Sequence, residues 1–251
     1  MRKLFSLILF AVAWQLVTMS GVVSQTYLPS VDSILRAGWE MTLSGELVDA
    51  EIHTLTRALL GGVLSVALGL VMALFAARIP VLARMWAPLV EIIRSIPPAA
   101  IVPLGIFALG LTPTLFIGVV VFAGFSTVYI PALRALSNTE PIQVYMARTL
   151  GYGPVETLLR VRLPAAWPEI FTGIRVTAGM ALIAAVASEM LAGKDGLGFL
   201  LFDTAFSLRT SEMFAAMLVA ALNGILLNQI VMWLRRPFAG WQDALSKLGN
   251  L

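Results

Sequence analysis

The chain has 251 residues, of which 59% are hydrophobic and only 12% charged; with a mean hydropathy of +0.90 it lies far from the roughly 25% charge of an average soluble domain, which excludes a soluble globule. Cysteine is absent and His53 is the single histidine, so a disulfide framework, a thiolate metal site, a cysteine nucleophile and a cluster of imidazole ligands are excluded as well. A formal net charge of +3 would suggest nucleic acid in a soluble protein, but in a membrane protein basic residues chiefly report which side faces the cytoplasm, and no nucleic-acid partner is implied.

A helix needs about 20 predominantly apolar residues to cross the hydrocarbon core. The first such stretch is Leu4 to Val22, preceded by Arg2 and Lys3. A basic start followed by an apolar run also fits a cleaved signal peptide, but the run is longer than a typical signal and no A-x-A pattern follows, which favours a retained helix. Residues 1–27 are therefore expected to form an N-terminal transmembrane segment. Leu28 to Trp39 is too polar to span; it opens with Pro29 and Ser30, a helix start, and sets Val31, Ile34, Leu35 and Trp39 on one face. It is expected to lie on the outer membrane surface, within an external segment over residues 28–54.

The transmembrane core is expected over residues 55–236. Ala58 to Ala77 is uncharged and gives a second span. From Ser95 to Leu133 no charge occurs, and Gly110, Thr112 and Pro113 punctuate the stretch, so a third span is placed at Trp86 to Leu109 and a fourth at Thr114 to Leu133. A fifth runs from Glu169 to Ala192, with Glu189 inside it, and a sixth from Met213 to Leu234. Residues 237–251 remain as a tail. The fold class is thus all-α, a polytopic membrane protein with about six transmembrane helices and both termini on one side.

Placing those termini in the cytoplasm puts Arg2, Lys3, Arg78, Arg84, Arg134, Arg148, Arg160, Arg162, Arg235, Arg236 and Lys247 inside and only Arg36, Arg57, Lys194 and Arg209 outside, eleven against four. That satisfies the positive-inside rule, which the opposite orientation would invert.

The cytoplasmic stretch between the fourth and fifth spans, Arg134 to Trp167, carries the most information. Asn138 or Thr139 is expected to cap a helix whose first turn holds Glu140 and Pro141. Ile142, Tyr145, Met146 and Leu150 recur at three- and four-residue intervals, giving it a sticky face, and Gly151 stops it. A second short helix begins at Pro154, with Val155, Leu158 and Leu159 on one face, and is expected to end near Pro164, whose ring blocks continuation. Two short helices meeting at a glycine suit docking to a partner; an interfacial pair resting on the membrane is the competing reading.

The spacing decides between them. Tyr145-Met146-Ala147-Arg148-Thr149-Leu150-Gly151, nine residues, then Val161-Arg162-Leu163-Pro164 resembles the E-A-A-x-x-x-G-x9-I-x-L-P signature of ATP-binding-cassette (ABC) importer permeases. Arg94-Ser95-Ile96-Pro97-Pro98-Ala99 with Pro103, Ala147 to Gly151, Leu163-Pro164-Ala165-Ala166, Gly173-Ile174-Arg175, Ala187 to Leu191 and Gly196-Leu197-Gly198 are similar to the nitrate, sulfonate, taurine and bicarbonate branch of that family. The resemblance is nearly collinear from about Leu28 to Arg236. It implies the type I, MetI-like importer fold in the bacterial inner membrane: a second permease copy, by the family's habit a homodimer, two cytoplasmic ATPase subunits that use ATP and Mg, and an external solute-binding protein. Tyr145, Met146, Ala147, Arg148, Thr149, Gly151 and Pro164 would form the coupling helix region that docks to the ATPase. In one place the chain departs from the signature: Tyr145 stands for its glutamate and Met146 for its first alanine, so an apolar contact is expected where the family has a charged one.

The chain has no phosphate loop of the form G-x-x-x-x-G-K-[ST], since Gly193-Lys194-Asp195 lacks both the glycine spacing and the hydroxyl. Gly196-Leu197-Gly198 is no dinucleotide fingerprint either. No cofactor is expected on this chain, and it is not expected to be an enzyme; without cysteine and with one histidine, nucleophile and base pairs are hard to assemble.

Ionisable residues inside spans are functional candidates by default. Glu91 and Arg94 stand three apart on one helical face and are expected to pair, either steadying a helix that Pro97, Pro98 and Pro103 interrupt or, with freed backbone groups lining a cavity, offering positive potential to an anion. Glu189, some four turns beyond Arg175, is too far to pair with it; an interhelical hydrogen bond and a gate or receptor contact both fit. Arg175 reads as a headgroup or coupling contact and His53 as a solvated residue. Gly61, Gly62, Gly69, Gly173, Ala178, Gly179, Ala181, Ala184 and Ala185 let helices pack closely. The function that follows is a permease subunit of an ATP-driven importer for a small anionic solute. A self-sufficient ion-coupled carrier, the alternative, would show an internal repeat with discontinuous helices in both halves, and no convincing repeat is present.

Overall fold

The computed structural model describes residues 2–21 and 23–248. Met1, residues 249–251 and Val22, the expected end of the first span, lie outside the described residues. Helices follow in the order α1 (Arg2–Met19), α2 (Val31–Leu43), α3 (Glu46–Arg78), α4 (Pro80–Ser95), a 3-10 turn (Pro98–Ile101), α5 (Val102–Leu109), α6 (Pro113–Ser137), α7 (Pro141–Thr149), α8 (Pro154–Thr157), a π-helical turn (Leu158–Arg162), α9 (Leu163–Ala192), α10 (Leu197–Phe206) and α11 (Thr210–Leu248). No strand occurs among the described residues.

Four runs among the described residues are long and apolar enough to cross a membrane: α3, α6, the continuous run Pro154–Ala192 and the Thr210–Arg236 part of α11. The expected third span is not one straight helix. α4 and the Pro98–Leu109 segment pass the same test only as a pair, bent by 95°. The cause is local: the residue before a proline is pushed out of the α region, and proline supplies no N–H. Ile96 is extended at φ −83°, ψ 122°, and Pro97 follows at φ −58°, ψ 131°, so two successive residues leave the helical path.

Two further expectations are corrected. The second cytoplasmic helix does not end at Pro164: α8 passes through the π turn into α9, with Leu163 N–H bonded to Leu158 O. A π turn has already abandoned the i→i−4 pattern, so a proline just beyond it interrupts little. The cap of α7 is neither Asn138 nor Thr139 but Glu140, with Pro141 at the first helical position, where its missing N–H would be unpaired in any case.

The chain forms two compact units. The first comprises Met1–Leu55 and Val186–Asn223. Here Ser30 caps α2 by accepting from Ser33 N–H at 3.2 Å, Trp14 Nε1 donates to Pro29 O at 2.9 Å, and Val31 N–H donates to Gln15 Oε1 at 2.9 Å. The buried face of α2 is Ile34, Ala37 and Met41, while Leu35 and Trp39 are exposed. Ala37 and Met41 continue the three- and four-residue stripe from Ile34, and Met41 joins Leu47, Ala50, Leu197, Leu200 and Ala216 in a core. α10, unforeseen from the sequence, supplies two of those residues.

The second unit comprises Thr56–Ala185 and Gly224–Leu251. Its core gathers Ala73, Ala76, Val90, Phe125, Tyr129, Ala132, Leu136, Leu158, Ala166 and Ile170. Glycine brings the helices together: a Cβ on Gly69 would stand 2.5 Å from Phe125 O, and one on Gly61 2.5 Å from the Val120 side chain. Ser65 lies between them in the same stripe and donates to Gly61 O at 2.7 Å. Thr127 and Thr177 join α6 to α9 at 2.6 Å. Gly62 and Gly179 do not make such close approaches.

Candidate functional site

The α7 to α8 loop is shaped by a Schellman ending. Tyr152 N–H reaches Ala147 O and Gly151 N–H reaches Arg148 O, each at 3.0 Å, with Gly151 at φ +84°, a conformation other residues adopt only at a cost. Val144 and Ala147 are buried, whereas Ile142, Tyr145, Met146 and Leu150 are 60–72% exposed. Of the expected docking residues, Tyr145 and Met146 therefore lie on the bare apolar face. Ala147 is inside, Thr149 donates back to Tyr145 O at 3.1 Å, and Pro164 sits in the first turn of α9. Arg148 instead lines a cavity of about 500 Å³ with Arg78, Tyr152 and Arg162. Arg160 is occupied by Glu156 at 3.1 Å.

Glu91 and Arg94 do pair: Arg94 Nε donates to Glu91 Oε2 at 2.7 Å and its terminal nitrogen to Oε1 at 2.5 Å. This is the bidentate geometry that favours arginine over lysine. Both side chains are about half exposed or more, 50% and 62%. They line a cavity of about 450 Å³ with Tyr129, Arg134 and Ser137. Arg94 also lines a second cavity, about 220 Å³, beside Pro98, Ser126 and Thr127. Pro97 stands at the bend that ends α4.

Glu189 is fully buried. Thr54 Oγ1 donates to its Oε2 at 2.7 Å and Gly198 N–H donates to the same oxygen at 3.0 Å. Thr54 Oγ1 in turn accepts from Leu197 N–H at 2.7 Å. A Cβ on Gly196 would meet the Glu189 carboxylate, and one on Gly198 would meet Val186 O and Glu189 Cβ, so the G-L-G segment is the wall of a carboxylate-binding turn. Nearby, Asn223 donates to Glu51 at 2.8 Å and Arg209 pairs with Glu46 and Glu212. His53 is half exposed and 3.9 Å from Asp195. Arg175 meets Asn228 at 2.6 Å, well away in sequence from Glu189.

Arg57 is buried, with its guanidinium 4.2 Å from the centre of the Phe116 ring, a cation–π contact. The signal was available: Arg57, Gly61, Ser65, Gly69 and Ala73 form one stripe at four-residue spacing, and that stripe is the packed face of α3. No group of histidine, aspartate and glutamate able to hold a metal occurs among the described residues.

Residues 65–240 match the family described as "Binding-protein-dependent transport system inner membrane component". Among similar proteins are the putative aliphatic sulfonates transport permease protein SsuC of Bacillus subtilis, 29% identical over 92% of this chain and 84% of the relative. The taurine transport system permease protein TauC of Escherichia coli is 28% identical over 95% and 88%. In fold the chain resembles a chain of the MetNI methionine ABC transporter solved in inward-facing conformations, with a TM-score of 0.69 at 19% identity, covering 78% of this chain and 98% of that one. The fold is therefore MetI-like, and a self-sufficient carrier is not favoured. With most of its length matched, the chain belongs to the binding-protein-dependent inner-membrane components, the permeases of ABC importers, and is a transport component and not an enzyme.

Proposed function

We propose that two copies of this chain, in the bacterial inner membrane with both termini in the cytoplasm, form the pathway for a small anionic solute of the sulfonate or taurine kind. An external binding protein delivers the solute, and two separate cytoplasmic ATPase subunits, which bind the ATP and Mg, drive its passage; the chain itself holds no cofactor. The observation that carries this reading is the bare apolar face of α7: Ile142, Tyr145, Met146 and Leu150 are exposed beside the Gly151 turn. Large apolar side chains grouped on a short helix mark a docking surface, and with Tyr145 in the signature's glutamate position the contact is hydrophobic. Val144 and Ala147 anchor the helix from the other side, so motion of the docked subunit is passed on through α8 and the π turn into α9.

Because the chain has no cysteine, single cysteines report contacts cleanly. Tyr145→Cys or Met146→Cys should cross-link to a cysteine-bearing groove of the co-expressed ATPase, while Leu104→Cys, exposed elsewhere, should not. Equal cross-linking from all three positions, or none from α7, would remove the docking assignment.

A further inference from the structure

Two cavities in the second unit share Arg94 and Ile130. The larger is lined by Glu91, Arg94, Tyr129, Arg134 and Ser137, the smaller by Arg94, Pro98, Ser126 and Thr127. Phe122, Ser126, Ile130, Leu133 and Ser137 of α6 all line one or the other and fall on a single stripe at three- and four-residue spacing. The two cavities therefore follow α6 for about 22 Å, a large part of the roughly 30 Å hydrocarbon core.

Four observations give this stripe a chemistry. First, Glu91 and Arg94 are half exposed or more within a helix pair that counts as a membrane segment; charges there face water or protein and not lipid. Second, the charged residues lining the two cavities are Glu91, Arg94 and Arg134, one carboxylate against two guanidinium groups, a net charge of +1. Third, Arg134 makes no ion pair or hydrogen bond through its side chain among the described residues. Fourth, the Tyr129 hydroxyl is buried without any hydrogen-bond partner, a donor with nothing to donate to, and such groups call for an explanation. At about 220 and 450 Å³ the spaces suit a small solute.

We propose that this stripe is an oxyanion-binding stretch of the pathway, taking a sulfonate-type group, in which Arg94 exchanges its Glu91 partner for the anion and Tyr129 and Arg134 receive it next. The proposal rests on the reading of the chain as an anion permease and deepens it by naming where the anion is held. Guanidinium binds sulfonate and carboxylate oxygens through the same fork of donors, so the exchange requires no change of geometry at Arg94. Glu91 then repels the anion once it has moved off, which keeps the stretch from becoming a trap.

The test uses Ser126→Cys and Ser137→Cys, one in each cavity, in the permease bound to its ATPase and reconstituted in liposomes. Each is treated with 2-sulfonatoethyl methanethiosulfonate, itself a sulfonate, and with the trimethylammonium reagent of the same reactive group. Both positions should react, with the sulfonate reagent preferred, and 10 mM methanesulfonate should slow the reaction. Arg94→Gln should lower the preference at Ser126→Cys at least tenfold, while Arg94→Lys, which keeps the charge, should retain most of it. Absence of labelling at both positions in variants that still assemble with the ATPase would overturn the proposal, as would labelling with no charge preference. ATP-driven uptake of taurine by the unsubstituted complex is measured alongside. Uptake without selective labelling removes this site and leaves the permease reading intact; selective labelling without ATP-driven uptake does the reverse.

Discussion

Replacing Thr54 by valine keeps its size and its branch but removes a hydroxyl that serves two partners. Thr54 Oγ1 donates to Glu189 and accepts from Leu197 N–H, both at 2.7 Å, and all three groups are buried. A hydrogen bond to a carboxylate contributes about 1.5–3 kcal/mol, and a buried N–H left without a partner costs about 1–3 kcal/mol. Leu197 opens α10, so its N–H belongs to the helix start and has no intrahelical acceptor. Thr54→Val should therefore destabilise the protein by about 3–5 kcal/mol, whereas Thr54→Ser, which loses one methyl, should cost about 1 kcal/mol. For a chain of this size a kilocalorie moves the unfolding midpoint by about 2–4 °C, so the valine variant should melt roughly 6–20 °C lower, and the serine variant only a few degrees lower. Intrinsic tryptophan fluorescence of the detergent-purified protein, heated at one fixed rate, reads both. Equal midpoints for the two variants would refute the idea that Thr54 holds α10 against Glu189 through its hydroxyl.

Three other outcomes are expected. Gly198→Ala would drive a methyl into Val186 O and Glu189 Cβ, a backbone clash, and should lower the same midpoint by at least as much as an overpacked core residue, about 1–3 kcal/mol; Gly179→Ala, with open space around it, should be neutral. Gly151→Val would place a branched residue at φ +84°, costing about 1–2 kcal/mol locally, and should leave ATP hydrolysis by the complex intact while reducing solute uptake, as should Arg148→Glu; full uptake by either variant would contradict the coupling role of this loop. Met146→Asp should weaken retention of the ATPase during purification without changing the yield of permease, because the Met146 side chain is exposed, and Val144→Asp, on the buried face, should instead reduce the yield.

Much of the architecture could be read from charge placement together with turn residues, because a charge is costly in a membrane and marks many helix ends, while Gly110, Thr112 and Pro113 divide the one long uncharged stretch. α6 and α11 begin within a few residues of where the apolar runs do. The third span escaped this reading: its bend depends on backbone angles at Ile96 and Pro97, and a run of uncharged residues looks the same straight or bent by 95°. The π turn escaped for a similar reason, since Pro164 signals an ending only if the hydrogen-bond pattern before it is α. The candidate sites divide in the same way. Glu91 and Arg94 are local, three residues apart, and their pairing followed from helix geometry. Glu189 and Thr54 are 135 residues apart, and Arg57 and Phe116 are joined only by tertiary packing, so no local spacing could pair them. The bare face of α7 was legible as a periodicity, but which of its signature residues lie on that face was not: Ala147 is inside and Arg148 turns to a cavity shared with Arg78 and Arg162.

On the proposed function, this chain moves solute only when a separate ATPase is docked on it. The most direct measurement is uptake of radiolabelled taurine into proteoliposomes containing the permease, with the ATPase, the binding protein, ATP and an imposed proton or sodium gradient each added or left out. Uptake is expected only when permease, ATPase, binding protein and ATP are all present, and none from an ion gradient alone. Gradient-driven uptake by the permease without the ATPase would contradict the proposed function.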